Sequence, residues 1–186
     1  MDEQRRTKIS RYLSKHLRHQ PERLGLELEP GGWVRVSDLL ASCRRNGVAF
    51  SEDDLREMVA LNNKQRFAFD ESGQRIRANQ GHSVEVDLGL EPLEPPAELY
   101  HGTAEHNLAA IERDGLQKMR RHHVHLSADI PTALAVGKRH GRPAVLVVAA
   151  GQMLADGFTF FCSANGVWLV DEVPARYLRR SEERQP

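Results

Sequence analysis

The sequence has few cysteines and no long apolar run. Its two cysteines, Cys43 and Cys162, exclude a disulfide framework and a four-cysteine zinc site, and we expect both to be reduced thiols. No stretch approaches the roughly 20 apolar residues of a membrane helix. The first ten residues lack the apolar segment of a secretory signal. We therefore expect a cytoplasmic protein without a membrane span.

The motifs of several common enzyme classes are also missing. The sequence contains neither the glycine-rich P-loop nor the three-glycine dinucleotide motif, so an ordinary P-loop or Rossmann enzyme is unsupported. No Ser/His/Asp grouping stands out for acyl transfer, and the histidine-rich segments lack paired acids of glycosidase type. Candidate chemistry is therefore sought among the basic and histidine residues.

Positive charge is concentrated in two segments, although the whole chain is neutral, with 26 basic and 26 acidic residues. That balance argues against a purely electrostatic nucleic-acid binder. Residues 1–23 carry seven Lys or Arg against three acids, and residues 113–142 carry seven against two. Two basic segments rich in histidine indicate a polyanion bound at defined places, and the alternative is solvated helix faces.

The N-terminal part has the pattern of three helices followed by a hairpin. Apolar spacing predicts a first helix that ends before Pro21. Its other side carries Lys8, Arg11, Lys15 and Arg18, a face that suits phosphates rather than base edges. Ser37 is expected to cap the second helix and Ser51 to open the third with a capping box. With a hairpin over residues 66–78, this order is that of a winged helix, a fold that often meets nucleic acid.

Prolines divide the chain into two lobes. Residues 90–98 are predicted to link residues 1–89 to residues 99–186. Beyond the linker, short strands alternate with helices, and residues 144–149 have the composition of a buried strand. We therefore expect an α+β protein with an N-terminal winged-helix lobe and a C-terminal mixed α/β lobe, and a monomer by default.

The segment from Arg120 to Ser127 is the most informative candidate site. Strand alternation places Arg121, His123 and His125 on one face and apolar residues on the other. The two histidines could ligate a metal, but Arg121 would repel a cation and no acid or cysteine lies at ligand spacing. A phosphate site fits these residues better, and no metal is expected.

Other candidates are weaker when each is taken alone. Arg18 and His19 end the basic helix face and offer bidentate anion binding beside a proton donor, with a surface pair as the alternative. Arg66 begins a strand and could equally be solvated. In the run His101-Gly102-Thr103, the glycine permits close backbone approach to a ligand and the threonine can cap the helix that follows. The alternative for this run is a capped turn.

Five motifs occur in one order across nearly the whole chain. They are Leu17-Arg18-His19, Lys64-Gln65-Arg66-Phe67, Tyr100-His101-Gly102-Thr103, Arg121 to Ser127, and Asn165-Gly166-Val167-Trp168-Leu169. Together they resemble the RNA 2′-phosphotransferase family, known in bacteria as KptA. The resemblance implies a winged-helix lobe for RNA and an ADP-ribosyltransferase-like lobe for NAD⁺.

The resemblance also implies a two-step reaction. An internal RNA 2′-phosphate attacks C1″ of the nicotinamide ribose and expels nicotinamide, and the ribose O2″ then attacks the phosphorus. The products are 2′-OH RNA, ADP-ribose 1″,2″-cyclic phosphate and nicotinamide. The classic substrate of the family is spliced tRNA, and RNA repair is a related role.

The family's tetrad of functional residues maps onto Arg18, His19, Arg66 and Arg121. The first three are expected to hold the RNA 2′-phosphate, because guanidinium groups match phosphate oxygens bidentately. Arg121 is expected to stabilise charge at phosphorus in the second step. His19 is the candidate for proton transfer in that step.

The resemblance assigns NAD⁺ contacts to the C-terminal lobe. His101, Gly102 and Thr103 match the strand that holds the nicotinamide ribose. His125 and Ser127 match the second strand of that fold, and Asn165 opens the last motif. Asn165 has a turn residue as its alternative. Val167 stands where many ADP-ribosyltransferases have a catalytic Glu, which argues against ordinary protein ADP-ribosylation, since a phosphate nucleophile is already ionised.

Two other functions stay open at this point. One is an ADP-ribosyltransferase that modifies nucleic-acid phosphate ends and stops after the first step. The other is a winged-helix regulator that binds NAD⁺ or ADP-ribose and binds duplexes without turnover. The cyclic phosphate product discriminates between these readings.

Overall fold

The computed structural model describes residues 1–181 and divides into two compact units, Met1–Gly89 and a second unit that begins at Leu90. Each unit has a hydrophobic core of its own. The last five residues of the predicted lobe 99–186 lie outside the described residues.

The first unit contains three α-helices and one small sheet. In chain order its elements are α1 (Glu3–His19), β1 (Val34–Arg35), α2 (Val36–Arg45), α3 (Glu52–Ala60), β2 (Phe67–Phe69) and β3 (Arg75–Ala78). The sheet is antiparallel with the order β1-β3-β2. The predicted three helices and hairpin are confirmed, and α1 ends two residues before Pro21 as expected.

Hydrogen bonds at the first turn explain where helices α2 and α3 begin. Ser51 opens α3 with the predicted capping box: its hydroxyl accepts from Asp54 N and its own N donates to the Asp54 carboxylate, both at 3.0 Å. The prediction that Ser37 caps α2 is wrong. Helix α2 begins at Val36, two residues earlier than a Ser37 cap requires, because Val36 N donates to Gln74 O at 2.8 Å and the hairpin backbone satisfies this first amide.

The second unit is a mixed α/β structure. Its elements are β4 (Leu99–Ala104), α4 (Leu108–Asp114), β5 (Leu116–Gln117), β6 (Val124–Leu126), α5 (Ile130–Gly137), β7 (Pro143–Val148), α6 (Ala150–Ala155), β8 (Phe161–Cys162), β9 (Trp168–Val170), β10 (Glu172–Val173) and β11 (Leu178–Arg180). All strand pairs are antiparallel, in sheets of order β11-β7-β4, β6-β9-β8 and β10-β5.

Strand β4 lies between two neighbours in this unit. It pairs with β7 along its whole length, and at Tyr100 it also meets Ser127, just beyond β6. Tyr100 and Ser127 exchange backbone hydrogen bonds of 2.9 and 2.7 Å. Residues 90–98 belong to the same unit, since Leu93 N donates to Phe160 O and Ala97 O accepts from Gly151 N. The two hydrogen bonds between Tyr100 and Ser127 join the end of β6 to β4, where candidate residues of this unit lie.

Residues 1–181 contain neither a membrane-spanning helix nor a group of metal-binding side chains. No helix in this part of the chain is both long and apolar enough to span a bilayer. Within the same range, no three His, Cys, Asp or Glu side chains are grouped so that they could hold a metal ion.

Candidate functional site

The candidate residues of the first unit lie at the C-terminal end of α1 and at the start of β2. Arg18 is half-buried and His19 is exposed. Ser83, in the segment that follows β3, contacts both: its backbone N donates to Arg18 O at 2.9 Å, and its hydroxyl lies 2.9 Å from His19 Nδ1. This segment therefore fixes the backbone of the helix end and the orientation of the His19 ring.

Arg66 is positioned by another residue of the same segment. The buried Asn79 donates its backbone N to Arg66 O at 2.9 Å and its side-chain Nδ2 to Gln65 O at 2.6 Å. Gln65 has a φ of 41°, in the left-handed region that a residue with a side chain enters at a cost. Asn79 thus stabilises a strained turn, and Arg66 lies between that turn and the first residue of β2.

Residues 79–84 therefore bind both the end of α1 and the start of β2. No local sequence pattern indicates this role, because Ser83 lies 64 positions from His19 and Asn79 lies 14 positions from Gln65. The three candidates Arg18, His19 and Arg66 are connected through one stretch of backbone.

In the second unit, two hydrogen bonds connect three candidate residues. Arg121 Nη1 lies 3.1 Å from His125 Nδ1, and His101 Nδ1 lies 3.1 Å from the backbone oxygen of His125. A guanidinium only donates, so His125 Nδ1 is the acceptor and the ring proton of neutral His125 is on Nε2. A carbonyl only accepts, so the His101 proton is on Nδ1.

His101 is a neutral imidazole near neutral pH. Burial lowers the pKa of His101 below its ordinary value, and the positive charges of Arg121 and His140 lower it further. The hydrogen bond to the His125 carbonyl opposes this shift but is the smaller effect. Its Nε2 is therefore an acceptor, which suits a ligand hydroxyl such as that of a ribose.

Strand alternation does not place Arg121, contrary to the sequence prediction. Strand β6 begins at Val124, so Arg121 precedes it and reaches His125 through its long side chain instead. His123 contacts Phe161, with ring centroids 5.6 Å apart, and burial lowers its pKa. Arg121 and His125 are thus brought together by a hydrogen bond.

The structure adds a packing role for Gly102 and corrects the expectation for Thr103. Gly102 is needed for packing, because a Cβ there would overlap the backbone carbonyl of Ala133 in α5. Thr103 does not cap a helix: it is buried inside β4, and its hydroxyl accepts from Asn107 Nδ2 at 3.3 Å. The first turn of α4 has no side-chain cap at all.

Asn165 lies in the turn between β8 and β9. The buried Ser163 donates its hydroxyl to Asn165 Oδ1 at 2.8 Å, and the same hydroxyl accepts from Val167 N at 3.1 Å. Val167 comes immediately before β9. The turn reading of Asn165 is thus supported, and its NAD⁺ role stays a prediction, as do the NAD⁺ roles of His101, Gly102, Thr103, His125 and Ser127.

The side chains collected in the two units belong to one chemical class. Each unit holds guanidinium groups beside histidines, a combination that binds phosphate esters and moves protons. The protein therefore has the side chains of one that acts on phosphate-bearing ligands.

Comparison with known proteins identifies the family. The model of the RNA 2′-phosphotransferase, Tpt1/KptA family matches residues 4–172. Over 178 residues, 96% of this chain and 98% of the relative, the chain is 62% identical to a probable RNA 2′-phosphotransferase of Herpetosiphon aurantiacus. Identity is 59% to that of Trichormus variabilis and 46% to that of Flavobacterium johnsoniae, each over the same shares of both chains. The chain belongs to the RNA 2′-phosphotransferase, Tpt1/KptA family, and the resemblance read from the five motifs is confirmed.

Proposed function

We propose that this protein removes an internal 2′-monophosphate from RNA by transferring it to NAD⁺. One observation carries the proposal beyond family membership: the hydrogen-bonded chain Arg121–His125–His101. It holds a phosphate-binding guanidinium close to a neutral imidazole that can accept from a ribose hydroxyl. Phosphate transfer to a ribose oxygen needs both groups.

The two units divide the substrates between them in this proposal. The first unit acts as a winged helix that binds the RNA, supported by its three helices and β1-β3-β2 sheet. The second unit acts as an ADP-ribosyltransferase-like lobe that binds NAD⁺, supported by the position of His101 in β4 and of Ser127 beside it.

In the first step, an oxygen of the RNA 2′-phosphate forms a bond to C1″ of the nicotinamide ribose. The C1″–N bond breaks, and nicotinamide leaves with the electron pair. Arg18, His19 and Arg66 hold the phosphate for this attack. The nucleophile is already an anion, so no carboxylate base is needed, which agrees with Val167 at the position where many ADP-ribosyltransferases carry Glu.

In the second step, the ribose O2″ attacks phosphorus and the bond between phosphorus and the RNA O2′ breaks. O2″ loses a proton and O2′ gains one, so no proton is consumed overall. Arg121 stabilises the charge that develops on the phosphoryl oxygens. His19 is the proposed group for the proton transfer, because the Ser83 hydroxyl beside its Nδ1 both donates and accepts.

The remaining candidates hold NAD⁺. His101 Nε2 accepts from a ribose hydroxyl, and His125 keeps His101 and Arg121 in place. Thr103 lies on the same strand as His101, and Gly102 keeps that strand close to α5. Ser127 and Asn165 complete the proposed set from the end of β6 and the β8–β9 turn.

The test is to incubate the protein with NAD⁺ and a short RNA that bears one internal 2′-phosphate. The proposal predicts RNA lighter by one phosphate, together with nicotinamide and ADP-ribose 1″,2″-cyclic phosphate, all resolved by mass spectrometry. RNA heavier by one ADP-ribose would show a one-step transferase. Unchanged RNA with bound NAD⁺ would show a regulator, and either result contradicts the proposal.

A further inference from the structure

The exposed face of α1 carries a row of cations that the proposed reaction does not use. Lys8, Arg11 and Lys15 are exposed and follow each other at spacings of three and four residues, which places them on one side of the helix. The next position in the same series is Arg18. The row therefore leads along the helix to the proposed phosphate-binding residues.

No acidic side chain of the described residues 1–181 forms an ion pair with this row. Within residues 1–181, no side-chain hydrogen bond or ion pair is made by Lys8, Arg11 or Lys15, and the positions three and four residues from each of them carry no acid. Helix α3 differs, because its exposed Arg56 pairs with Glu52 at 2.6 Å. Neighbouring like charges at these spacings destabilise a helix, so the row has no structural benefit within this unit.

The opposite side of α1 is committed to the core. Ile9, Leu13 and Leu17 are at most 3% exposed. The helix therefore has no apolar face left to enter a lipid surface, and the row can act only through its charge. A charged row on a rigid helix fits a partner with regularly spaced anions.

We propose that Lys8, Arg11 and Lys15 bind backbone phosphates of the RNA strand on one side of the 2′-phosphorylated nucleotide. This inference rests on the proposed function, since it takes Arg18 and His19 as the place of that nucleotide. With a rise of about 1.5 Å per residue, the row from Lys8 to Arg18 is about 15 Å long. A strand carries a phosphate for about every 3.4 Å of duplex axis, so the row spans several nucleotides.

Three properties of the enzyme follow from this surface. Longer RNA substrates are preferred over the shortest one, because only they reach the row. The preference does not depend on base sequence, since phosphates carry no sequence information. It weakens as salt rises, because binding releases the counterions of the phosphates.

The experiment compares wild type with the triple variant Lys8→Gln, Arg11→Gln, Lys15→Gln on two substrates. One is a 2′-phosphorylated dinucleotide, and the other is an RNA of about twelve nucleotides, long enough to cover the row at about 3.4 Å per phosphate. Glutamine has a helix propensity close to that of Lys and Arg, so α1 is retained. The variant is expected to lower kcat/KM on the long RNA about ten-fold more than on the dinucleotide.

Salt dependence gives a second readout. Each neutralised contact to a single strand reduces the slope of log affinity against log salt by about 0.7, so three contacts reduce it by about 2. Between about 50 and 200 mM salt, wild type should therefore lose about 20-fold more affinity for the long RNA than the variant does. Binding is measured on RNA without the 2′-phosphate, so this readout does not depend on turnover.

The control is Arg44→Gln, Arg45→Gln, Arg113→Gln, which removes three exposed cations that are not part of α1. It should keep the long-RNA preference and the salt slope of wild type. An equal loss on both substrates, an unchanged slope in the α1 variant, or the same slope change in the control would overturn the inference. If wild type consumes neither substrate, the proposed function fails, while the binding slopes still decide whether the row contacts RNA.

Discussion

The two units hold their candidate histidines in different ways. In the first unit, His19 is exposed and its Nδ1 contacts the hydroxyl of Ser83. In the second, His101 is partly buried and its Nδ1 donates to the backbone carbonyl of His125. A hydroxyl can donate or accept, so it serves either protonation state of His19, whereas a carbonyl can only accept and keeps the proton of His101 on Nδ1.

This difference suits the two tasks that we propose for these residues, proton transfer by His19 and recognition of a ribose hydroxyl by His101. A residue that moves a proton must be stable both with and without that proton, and the Ser83 hydroxyl beside His19 allows this. A residue that recognises a hydroxyl must keep one acceptor in place, which burial and a fixed tautomer provide for His101. The comparison predicts that substitutions in the second unit affect NAD⁺ binding and the second step of the proposed reaction. Substitutions in the first unit are predicted to affect binding of the RNA 2′-phosphate and proton transfer.

The largest effect is expected for Arg121→Ala. Without this guanidinium the charge on the phosphoryl oxygens is not stabilised, and the second step should slow by about 10²–10³-fold. ADP-ribosylated RNA should then accumulate, detected by mass after one turnover. The control is Arg120→Ala at the neighbouring exposed arginine, which should behave as wild type. Loss of the first step in Arg121→Ala would assign Arg121 to the initial phosphate binding instead.

The next effect is on stability and concerns Gly102→Ala. The new Cβ overlaps the Ala133 carbonyl, so β4 and α5 must separate, at a cost of about 1–3 kcal/mol in free energy of unfolding. Gly151→Ala is the milder comparison, because its Cβ would meet Ala97 Cα at 3.2 Å, a tight contact that a shift of a few tenths of an ångström relieves. Urea unfolding of both variants is the measurement. Equal stability of the two variants would show that Gly102 is not required for packing.

A smaller effect is expected for Ser83→Ala, which removes the hydroxyl beside His19. One hydrogen bond to an exposed side chain contributes about 1 kcal/mol, so kcat should fall by less than about ten-fold. Ser83→Thr keeps the hydroxyl and should restore most of the rate. The pH profile of kcat should also shift in Ser83→Ala, and an unshifted profile with a reduced rate would mean that Ser83 only supports the helix end.

The smallest effect is a change in the pH dependence of stability. Burial lowers the pKa of His101 and His123 in the folded protein, so the unfolded chain binds more protons below its ordinary histidine pKa of about 6.5. Their contribution to stability is complete above that pH and is lost as the pH falls towards the folded pKa values. His101→Asn keeps a donor to the His125 carbonyl and removes one titration.

Unfolding in urea at about pH 7.5 and about pH 5.5, on either side of the histidine value, measures this change. Wild type should lose more free energy of unfolding between the two pH values than His101→Asn does. His123 still titrates in the variant, so a partial loss should remain. Equal losses in the two proteins would show that His101 is not held neutral.

Much of the fold could be predicted from local patterns. The apolar spacing of α1, the Ser51 capping box and the hairpin of β2 and β3 are local signals, and the structure confirms them. The start of α2 could not be predicted, because a distant backbone oxygen at Gln74 decides it. A sequence pattern contains no information about such a tertiary partner.

The candidate site was predictable in its residues but not in its connections. The motifs identified Arg121 and His125, yet the bond between them depends on a side chain reaching past the start of β6. Ser83 and Asn79 were missed, because each acts on residues distant in sequence. The packing of Gly102 against α5 was also missed, and its predicted contact with a ligand stays a prediction.

The most direct test follows the phosphate itself. RNA carrying a labelled phosphorus in its internal 2′-phosphate is incubated with wild-type protein, with and without NAD⁺. The account predicts that the label moves entirely into a small molecule containing ADP-ribose, and only when NAD⁺ is present. Label released as inorganic phosphate, or label retained on RNA that has gained ADP-ribose, would contradict the account.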